Sequence, residues 1–323
     1  MEIIQDNSCC TGDGPVVLRH SFTNKTTIST GVNTLALGDV ESFLDSLPEE
    51  PIFDLVITSP PYNIGKEYES KIPLKEYLTW QERIIKKIYC RLKETGSICW
   101  QVGNYAENGS IIPLDVYITP FFLEELNMKL RNRIVWHFGH GLHSKKRFSG
   151  RYEVVLWFTK SDNYKFDLDS VRVPSKYPNK RYYKGARKGE LSGNTLGKNP
   201  EDVWDIPNVK SNHVEKTEHP CQFPVGLVER LVLSLSEKGD LVFDPFSGVS
   251  STGVASIIHE RKYWGVEILD KYIDIAQARL KDAMLGVAKY RPYDKPIYDN
   301  QRSYLSQVPE EWLEAGFDKD SAQ

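Results

Sequence analysis

The sequence predicts an α/β fold, a mainly parallel Rossmann-like sheet with an antiparallel hairpin and a loop-rich region. Three observations lead there. From Thr34 onward, short apolar runs alternate with segments of helical period. The apolar run 53–57 ends in Thr58-Ser59-Pro60-Pro61-Tyr62, a turn with two prolines. Far along the chain, residues 240–255 read as a strand, a loop of small residues and a helix start, and a second strand over 262–266 follows and ends in Glu267.

In order, residues 1–30 are polar, rich in glycine and threonine and without period, which predicts an extension with no assignable element. A strand at 34–37, a helix at 40–47 and a strand at 53–58 open the fold. The helix over 74–92 is amphipathic, with Leu78, Ile84, Ile85, Ile88 and Leu92 on one face and Lys or Glu on the other, and it ends before Gly96. Strand 97–102, helix 114–126 and strand 131–136 continue the alternation, and 152–158 returns as the hairpin partner. Residues 161–218 break into prolines, glycines, lysines and tyrosines. A stretch that long without a period is functional or disordered, and Trp204 and Ile206 argue for order. Pro224 suits the first position of a helix over 225–235. The strand and loop of 240–251, a helix at 252–259, the strand ending at Glu267 and a helix at 271–284 complete the pattern. The tail, 286–323, turns acidic and is assigned no function.

Two prolines after a strand cannot extend its ladder. They fix a turn that aims the Ser59 hydroxyl, the neighbouring main-chain carbonyls and the Tyr62 ring into the crevice beyond the strand's carboxyl end, where open α/β sheets bind ligands. The loop Asp244-Pro245-Phe246-Ser247-Gly248 lets backbone approach a ligand closely and points helix N-terminal amides at it. Glu267 stands where a Rossmann-like unit puts the acid that accepts ribose hydroxyls. Together these describe a nucleoside-cofactor site that lacks both the G-x-G-x-x-G of dinucleotide enzymes and the G-K-[ST] of P-loops.

With both motifs in view, the chain resembles the beta-class amino-methyltransferases of DNA, in which the catalytic motif precedes the cofactor motif; the resemblance runs from residue 34 to 280. It implies the fold of an S-adenosylmethionine-dependent methyltransferase, divided into an extension (1–30), a catalytic half (31–160), a target-recognition region (161–218), a cofactor half (219–285) and a tail (286–323). It makes Ser59, Pro60, Pro61 and Tyr62 catalytic. It gathers Asp39, Thr58, His219, Pro220, Phe223, Asp244, Pro245, Phe246, Ser247, Gly248, Ser251, Thr252 and Glu267 around the cofactor, S-adenosyl-L-methionine. Residues 150–158 resemble the strand that closes the catalytic half. One departure stands out: Ser250 replaces the loop's second glycine and Ser251-Thr252 its threonine pair, although a Cβ resists positive φ.

The implied activity is site-specific methyl transfer to the exocyclic amino group of a base flipped out of double-stranded DNA, as the modification enzyme of a restriction-modification system whose cognate endonuclease shares the recognition sequence. In the resembled family, Ser before Pro-Pro-Tyr is commoner with cytosine-N4 enzymes and Asp with adenine-N6 enzymes, so N4-methylcytosine is the expected product. Adenine N6 is the alternative; an RNA methyltransferase or a catalytically silent DNA-binding relative stands further off.

A net charge of −3 over 323 residues gives no global attraction to nucleic acid, so a DNA-binding field has to be local. Two clusters offer one: Lys145, Lys146, Arg147 and Arg151 after the glycine- and histidine-rich loop 137–143, and Arg172, Lys176, Lys180, Arg181, Lys184, Arg187 and Lys188 interleaved with Tyr177, Tyr182 and Tyr183. The loop's histidines lack a nearby carboxylate or thiol, so no metal is expected. Cys9, Cys10, Cys90, Cys99 and Cys221 form no framework, and Cys90 and Cys99 read as core. Pro220-Cys221-Gln222 matches the motif of carbon-5 cytosine methyltransferases but precedes a helix instead of ending a strand, so a nucleophilic thiol is not expected. No apolar run approaches the ~20 residues of a membrane span and no basic leader opens the chain, which predicts a cytoplasmic protein with reduced thiols.

Overall fold

Secondary structure in the computed structural model, which describes residues 15–19, 29–139, 141, 143–296 and 314, begins at β1 (Val16–Arg19). There follow β2 (Thr34–Leu37), α1 (Val40–Ser46), β3 (Phe53–Thr58), α2 (Leu74–Arg91), β4 (Leu92–Val102), β5 (Asn104–Glu107), β6 (Ser110–Pro113), α3 (Leu114–Pro120), β7 (Lys129–His137) and β8 (Tyr152–Thr159). The second half holds β9 (Val203–Asp205), α4 (Val225–Leu235), β10 (Leu241–Asp244), α5 (Ser251–Ile258), β11 (Lys262–Glu267) and α6 (Asp270–Met284).

Nine strands form one sheet in the order β1-β2-β11-β10-β3-β4-β8-β7-β9. All neighbours are parallel except β8, which runs antiparallel to both β4 and β7. Strand residues alternate between two apolar layers, as a sheet covered on both faces requires. Ala36, Phe53, Val56, Ile98, Trp100, Phe243 and Trp264 pack with Phe43 of α1 and Ile84 and Ile88 of α2. Leu35, Leu55, Ile57, Cys99, Val242 and Tyr263 pack with Leu227 and Val228 of α4, Val254 of α5 and Ile273 and Leu280 of α6. From β3 the chain moves to β4 on one side, and from β10 to β11 on the other, so the topological switch lies between β3 and β10. There the Phe53 and Phe243 rings stack 4.3 Å apart.

Five details differ from the sequence expectation. Within the extension, Val16–Arg19 is a strand, paired from Val16↔Thr34 to Arg19↔Leu37; four residues are too few to show a period, and only the partner strand reveals it. The expected helix over 114–126 is α3 followed by a π-helical turn, Phe121–Glu125, because Pro120 lacks the N–H that would continue the ladder. The β5–β6 hairpin turns at Asn108-Gly109, both at positive φ, the two-residue hairpin signal embedded in a stretch of little alternation. The loop-rich region contains β9, held to β7 by Val135↔Val203 and Trp136↔Trp204. Cys90 is exposed where a core position was expected, since the buried positions of α2, Tyr77, Gln81, Ile84, Ile85, Ile88 and Arg91, define a face that it misses; Cys99 is buried. Cys9, Cys10, His140 and Leu142 lie outside the described residues.

Candidate active site

One cavity of about 600 Å³ opens beyond the carboxyl ends of the parallel strands. Each strand delivers its next residues to the wall: Gly38 and Asp39 after β2, Ser59, Pro60, Pro61 and Tyr62 after β3, Pro245, Phe246, Ser247 and Gly248 after β10, and Glu267 at the end of β11. Because β8 is antiparallel, its first residues face the same end, which brings Glu153 in. His219, Pro220, Phe223 and Ser251 complete the predicted residues on the wall. Thr58, Asp244 and Thr252 are fully buried beneath it.

The glycine loop is built around Glu267. Its two carboxylate oxygens accept from the Gly248 N–H at 2.9 Å and the Leu269 N–H at 2.8 Å, so the acid orders the glycine loop itself. Burial raises Glu267 to about 7, against the pull of the backbone N–H groups of Leu269, Gly248 and Ile268. Asp244 accepts from Thr58 Oγ1 at 2.6 Å and from the Phe246 N–H at 3.1 Å, which ties the ends of β10 and β3 across the switch point. Its complete burial raises it to about 6. Asp39 caps α1, accepting from the Ser42 N–H at 2.9 Å, a contact of the kind worth about 1 kcal/mol.

Ser250 adopts the left-handed conformation, φ 57° and ψ 46°, that the missing glycine would have taken. Strain of that kind costs about 1–3 kcal/mol. The hydroxyl offsets it, lying 2.7 Å from Ser247 Oγ, which in turn accepts from Tyr263 Oη at 2.9 Å. A Cβ at Gly248 (φ +51°) would meet His219 Nε2 at 3.2 Å. His219 stacks on Tyr68 at 5.5 Å and lies 4.5 Å from the Tyr272 ring; burial lowers it to about 4, so it is neutral.

The proline turn is braced by neighbouring residues of the cavity wall. Tyr77 Oη donates to the Pro61 carbonyl at 2.7 Å, and the Asn63 side chain both donates to and accepts from the backbone of Ile72. Tyr62 Oη donates to Glu153 Oε2 and contacts Ser59 Oγ, each at 3.2 Å, and Gln101 Nε2 donates to the same Glu153 oxygen. A Cβ at Gly103 would come within 2.9 Å of the Tyr62 ring and 3.4 Å of Glu153, so the glycine leaves room for this pair. Trp80, Trp136, Phe138, Asn104 and Asn208 add to the wall.

Sequence reasoning did not single out Glu153, Gln101 or these aromatic residues. For Glu153 a signal existed: an acid heading the otherwise apolar run Val154-Val155-Leu156-Trp157-Phe158 is costly to desolvate unless it has partners. The others come together only through strand order. Trp136 Nε1 donates to the Ile206 carbonyl at 2.7 Å, fastening the end of the loop-rich region to β7 beside the cavity.

The two basic clusters differ. Lys145, Lys146 and Arg147 are exposed, with Phe148 fully exposed beside them, and Arg151 turns back to the Gly150 carbonyl. In the second cluster Arg172 pairs with Asp169 at 2.6 Å and Arg187 with Glu190 at 2.8 Å, while Arg181 donates to the Gly189 carbonyl. Lys176 and Lys184 lie against the rings of Tyr177 and Tyr183, and Lys180 and Lys188 are exposed.

Comparison with known proteins gives consistent findings. The family model N6_N4_Mtase, DNA methylase, matches residues 53–278. Type II methyltransferase M.BglII of Bacillus subtilis is 51% identical over 246 residues, 76% of this chain and 68% of that protein. DNA adenine methyltransferase YhdJ of Escherichia coli K12 is 34% identical over 252 residues, 76% of this chain and 82% of its own. Among solved structures, the cytosine-N4-specific PvuII DNA methyltransferase shares the fold with a TM-score of 0.62 at 22% identity, over 85% of this chain and 95% of its own. The DNA modification methylase TTHA0409 of Thermus thermophilus, complexed with S-adenosyl-L-methionine, has a TM-score of 0.54 at 25% identity, over 78% of this chain and 96% of its own.

Proposed function

Because the chain belongs to the N6/N4 DNA methylase family, we propose that it methylates the N4 amino group of a cytosine flipped out of duplex DNA. As a member it is a DNA methyltransferase of restriction-modification type that uses S-adenosyl-L-methionine. The observation that carries the finer reading is Ser59, a neutral hydroxyl heading the turn where an ionised acid would be the adenine-type choice.

An exocyclic amino nitrogen is a poor nucleophile because its lone pair is delocalised into the ring. Acceptors on its N–H bonds localise that pair, and the turn offers two, Ser59 Oγ and the Pro60 main-chain carbonyl. The Tyr62 ring on the cavity wall is the surface on which the extruded base stacks. The cofactor, when bound, supplies an activated methyl group on a sulfonium sulfur. Glu267 would hold its ribose hydroxyls, Asp39 its adenine side, the backbone of Phe246 and Gly248 its near face, and His219, Pro220 and Phe223 its methionine end. The fit is supported by a buried carboxylate that lines the cavity and already orders the glycine loop. Trp80 and Phe246, 5.4 Å apart, help exclude water from the reacting end.

Mass spectrometry of digested DNA should find N4-methylcytosine. N6-methyladenine, the reading favoured by the adenine-methylating relative, would replace the base assignment and keep the mechanism; 5-methylcytosine would overturn both. Cys221→Ala should still transfer methyl groups, since direct transfer forms no enzyme–base bond. Duplex DNA should be the substrate over RNA and protein when methyl incorporation is compared side by side.

The exposed Lys145, Lys146 and Arg147 are proposed to contact phosphate. Replacing all three with neutral residues should reduce the salt slope of DNA binding by about 0.9 per lost contact; an unchanged slope would make the cluster a solvated loop. Acting on the cell's DNA, the protein is proposed to work in the cytoplasm and to share its recognition sequence with a cognate restriction endonuclease, with no direct binding implied.

A further inference from the structure

We propose that Glu153 is a positioning residue that sets the direction of the hydrogen bonds linking it to Tyr62 and Ser59, so that Ser59 meets the substrate amino group as an acceptor. The inference rests on the reading of Ser59 as the acceptor at the transfer site.

The argument is one of donor counting. A hydroxyl carries one proton, and its oxygen can accept as well as donate, so a row of hydroxyls has two possible directions. Nothing in Ser59 and Tyr62 alone chooses between them, because the two oxygens stand 3.2 Å apart and either can donate. An ionised carboxylate has no proton to give. Placed 3.2 Å beyond Tyr62 Oη, Glu153 Oε2 therefore accepts the hydrogen bond from the phenolic O–H, and the Tyr62 oxygen is left to accept from Ser59. The Ser59 proton then points away from the substrate and its lone pairs point into the cavity. Reversed, the row would present the Ser59 proton to an amino group that has only protons to offer, and the attraction would become repulsion.

The surroundings are built for this task. Gln101 Nε2 donates to the same Oε2, which orients the carboxylate from β4. Gly103 leaves the space that Tyr62 and Glu153 share. The groups facing Glu153 are Gln101 from β4 and Tyr62 with Ser59 from the catalytic turn; its register partner on β7, Trp136, brings no charge, and Tyr77 of α2 lies beyond Tyr62. Among the described residues no lysine or arginine pairs with it. Burial pushes the Glu153 carboxyl above its ordinary value while Gln101 and Tyr62 pull it down, and burial keeps the Tyr62 phenol protonated. Both 3.2 Å contacts, one between hydroxyls and one from hydroxyl to carboxylate, are long for O–H···O hydrogen bonds, as catalytic hydrogen bonds often are before substrate closes the site. Protonation of Glu153 allows the row to reverse, so transfer should fail in mild acid.

Glu153→Gln tests this at saturating cofactor and DNA. The expected result is a kcat lower by on the order of a hundredfold, with KM for both substrates near wild type and the acid limb of the kcat–pH profile flattened. In a Ser59→Ala background the same substitution should cost little more, because the group it orients is gone. A kcat within a factor of about two of wild type, or an undiminished loss in the Ser59→Ala background, overturns the proposal. Tyr62→Phe keeps the ring, removes the middle hydroxyl and should share the kcat loss with unchanged cofactor affinity; wild-type kcat in that variant overturns the proposal even if Glu153→Gln fails to fold. Absence of amino-group methylation by the wild-type protein is a separate outcome, which removes the underlying reading of Ser59.

Discussion

Tyr62→Ala should lower kcat/KM for methyl transfer to duplex DNA by on the order of 10³- to 10⁴-fold, with cofactor affinity and thermal midpoint close to wild type. Two losses combine. The ring, as the proposed stacking surface for the extruded base, should be worth about 1–3 kcal/mol. The hydroxyl between Glu153 and Ser59 adds roughly the 3 kcal/mol typical of one preorganised hydrogen bond at a reacting centre. Stability should hold because the turn does not depend on this side chain: Tyr77 grips the Pro61 carbonyl, Asn63 binds the Ile72 backbone, and Thr58 is tied to Asp244. Calorimetric titration of the cofactor and a thermal scan separate the cases. A collapsed midpoint with weakened cofactor binding would make Tyr62 a structural residue.

Glu267→Gln should produce opposite effects on cofactor binding and on the stability of the free protein. The Glu267 carboxyl sits at about 7 in the folded chain, above the roughly 4.3 of an unperturbed glutamate. Between those values the folded state holds a proton that the unfolded state has released, so this group's contribution to stability falls as pH rises through the window and is lowest above 7. Asp244, raised to about 6, acts in the same direction. Ribose hydroxyls held by Glu267 as proposed would donate to the ionised form, so cofactor binding should tighten from pH 6 to pH 8 and release protons near neutrality. Removing the charge should weaken binding by about 1–3 kcal/mol. It should also abolish that proton release and make the free variant gain stability relative to wild type as pH rises from 5 to 8. Cofactor affinity independent of both the residue and pH would place the ribose elsewhere.

How much of this was legible in the residues depends on how local the cause is. The proline turn after β3 and the glycine loop after β10 announce themselves because each is a break in an apolar run with a chemical reason to be there. The alternation that predicts a parallel sheet is likewise carried by neighbours in sequence, and the boundaries of α2 and α6 lie within a residue of expectation. Where the cause is a partner far along the chain, the sequence is silent. The strand Val16–Arg19 exists through β2, and β9 through β7. Pro120 was visible, but whether it would end the helix or widen it into a π turn depended on packing.

The sequence by itself determined the fold class, the family and the two motifs, since periodicity and short-range stereochemistry need no knowledge of what lies across the sheet. Only the tertiary structure decided what those motifs touch. The order β10-β3-β4-β8 places Asp244 against Thr58 and Glu153 against Tyr62, across separations of 186 and 91 residues. It also showed why Ser250 can stand in a glycine's place: the hydroxyls of Ser247 and Tyr263 that compensate its strained backbone reach it from the loop and from β11. A hydrogen bond between side chains depends on where the backbone carries them, and in a crossover fold that is set by strand order, which no window of sequence contains.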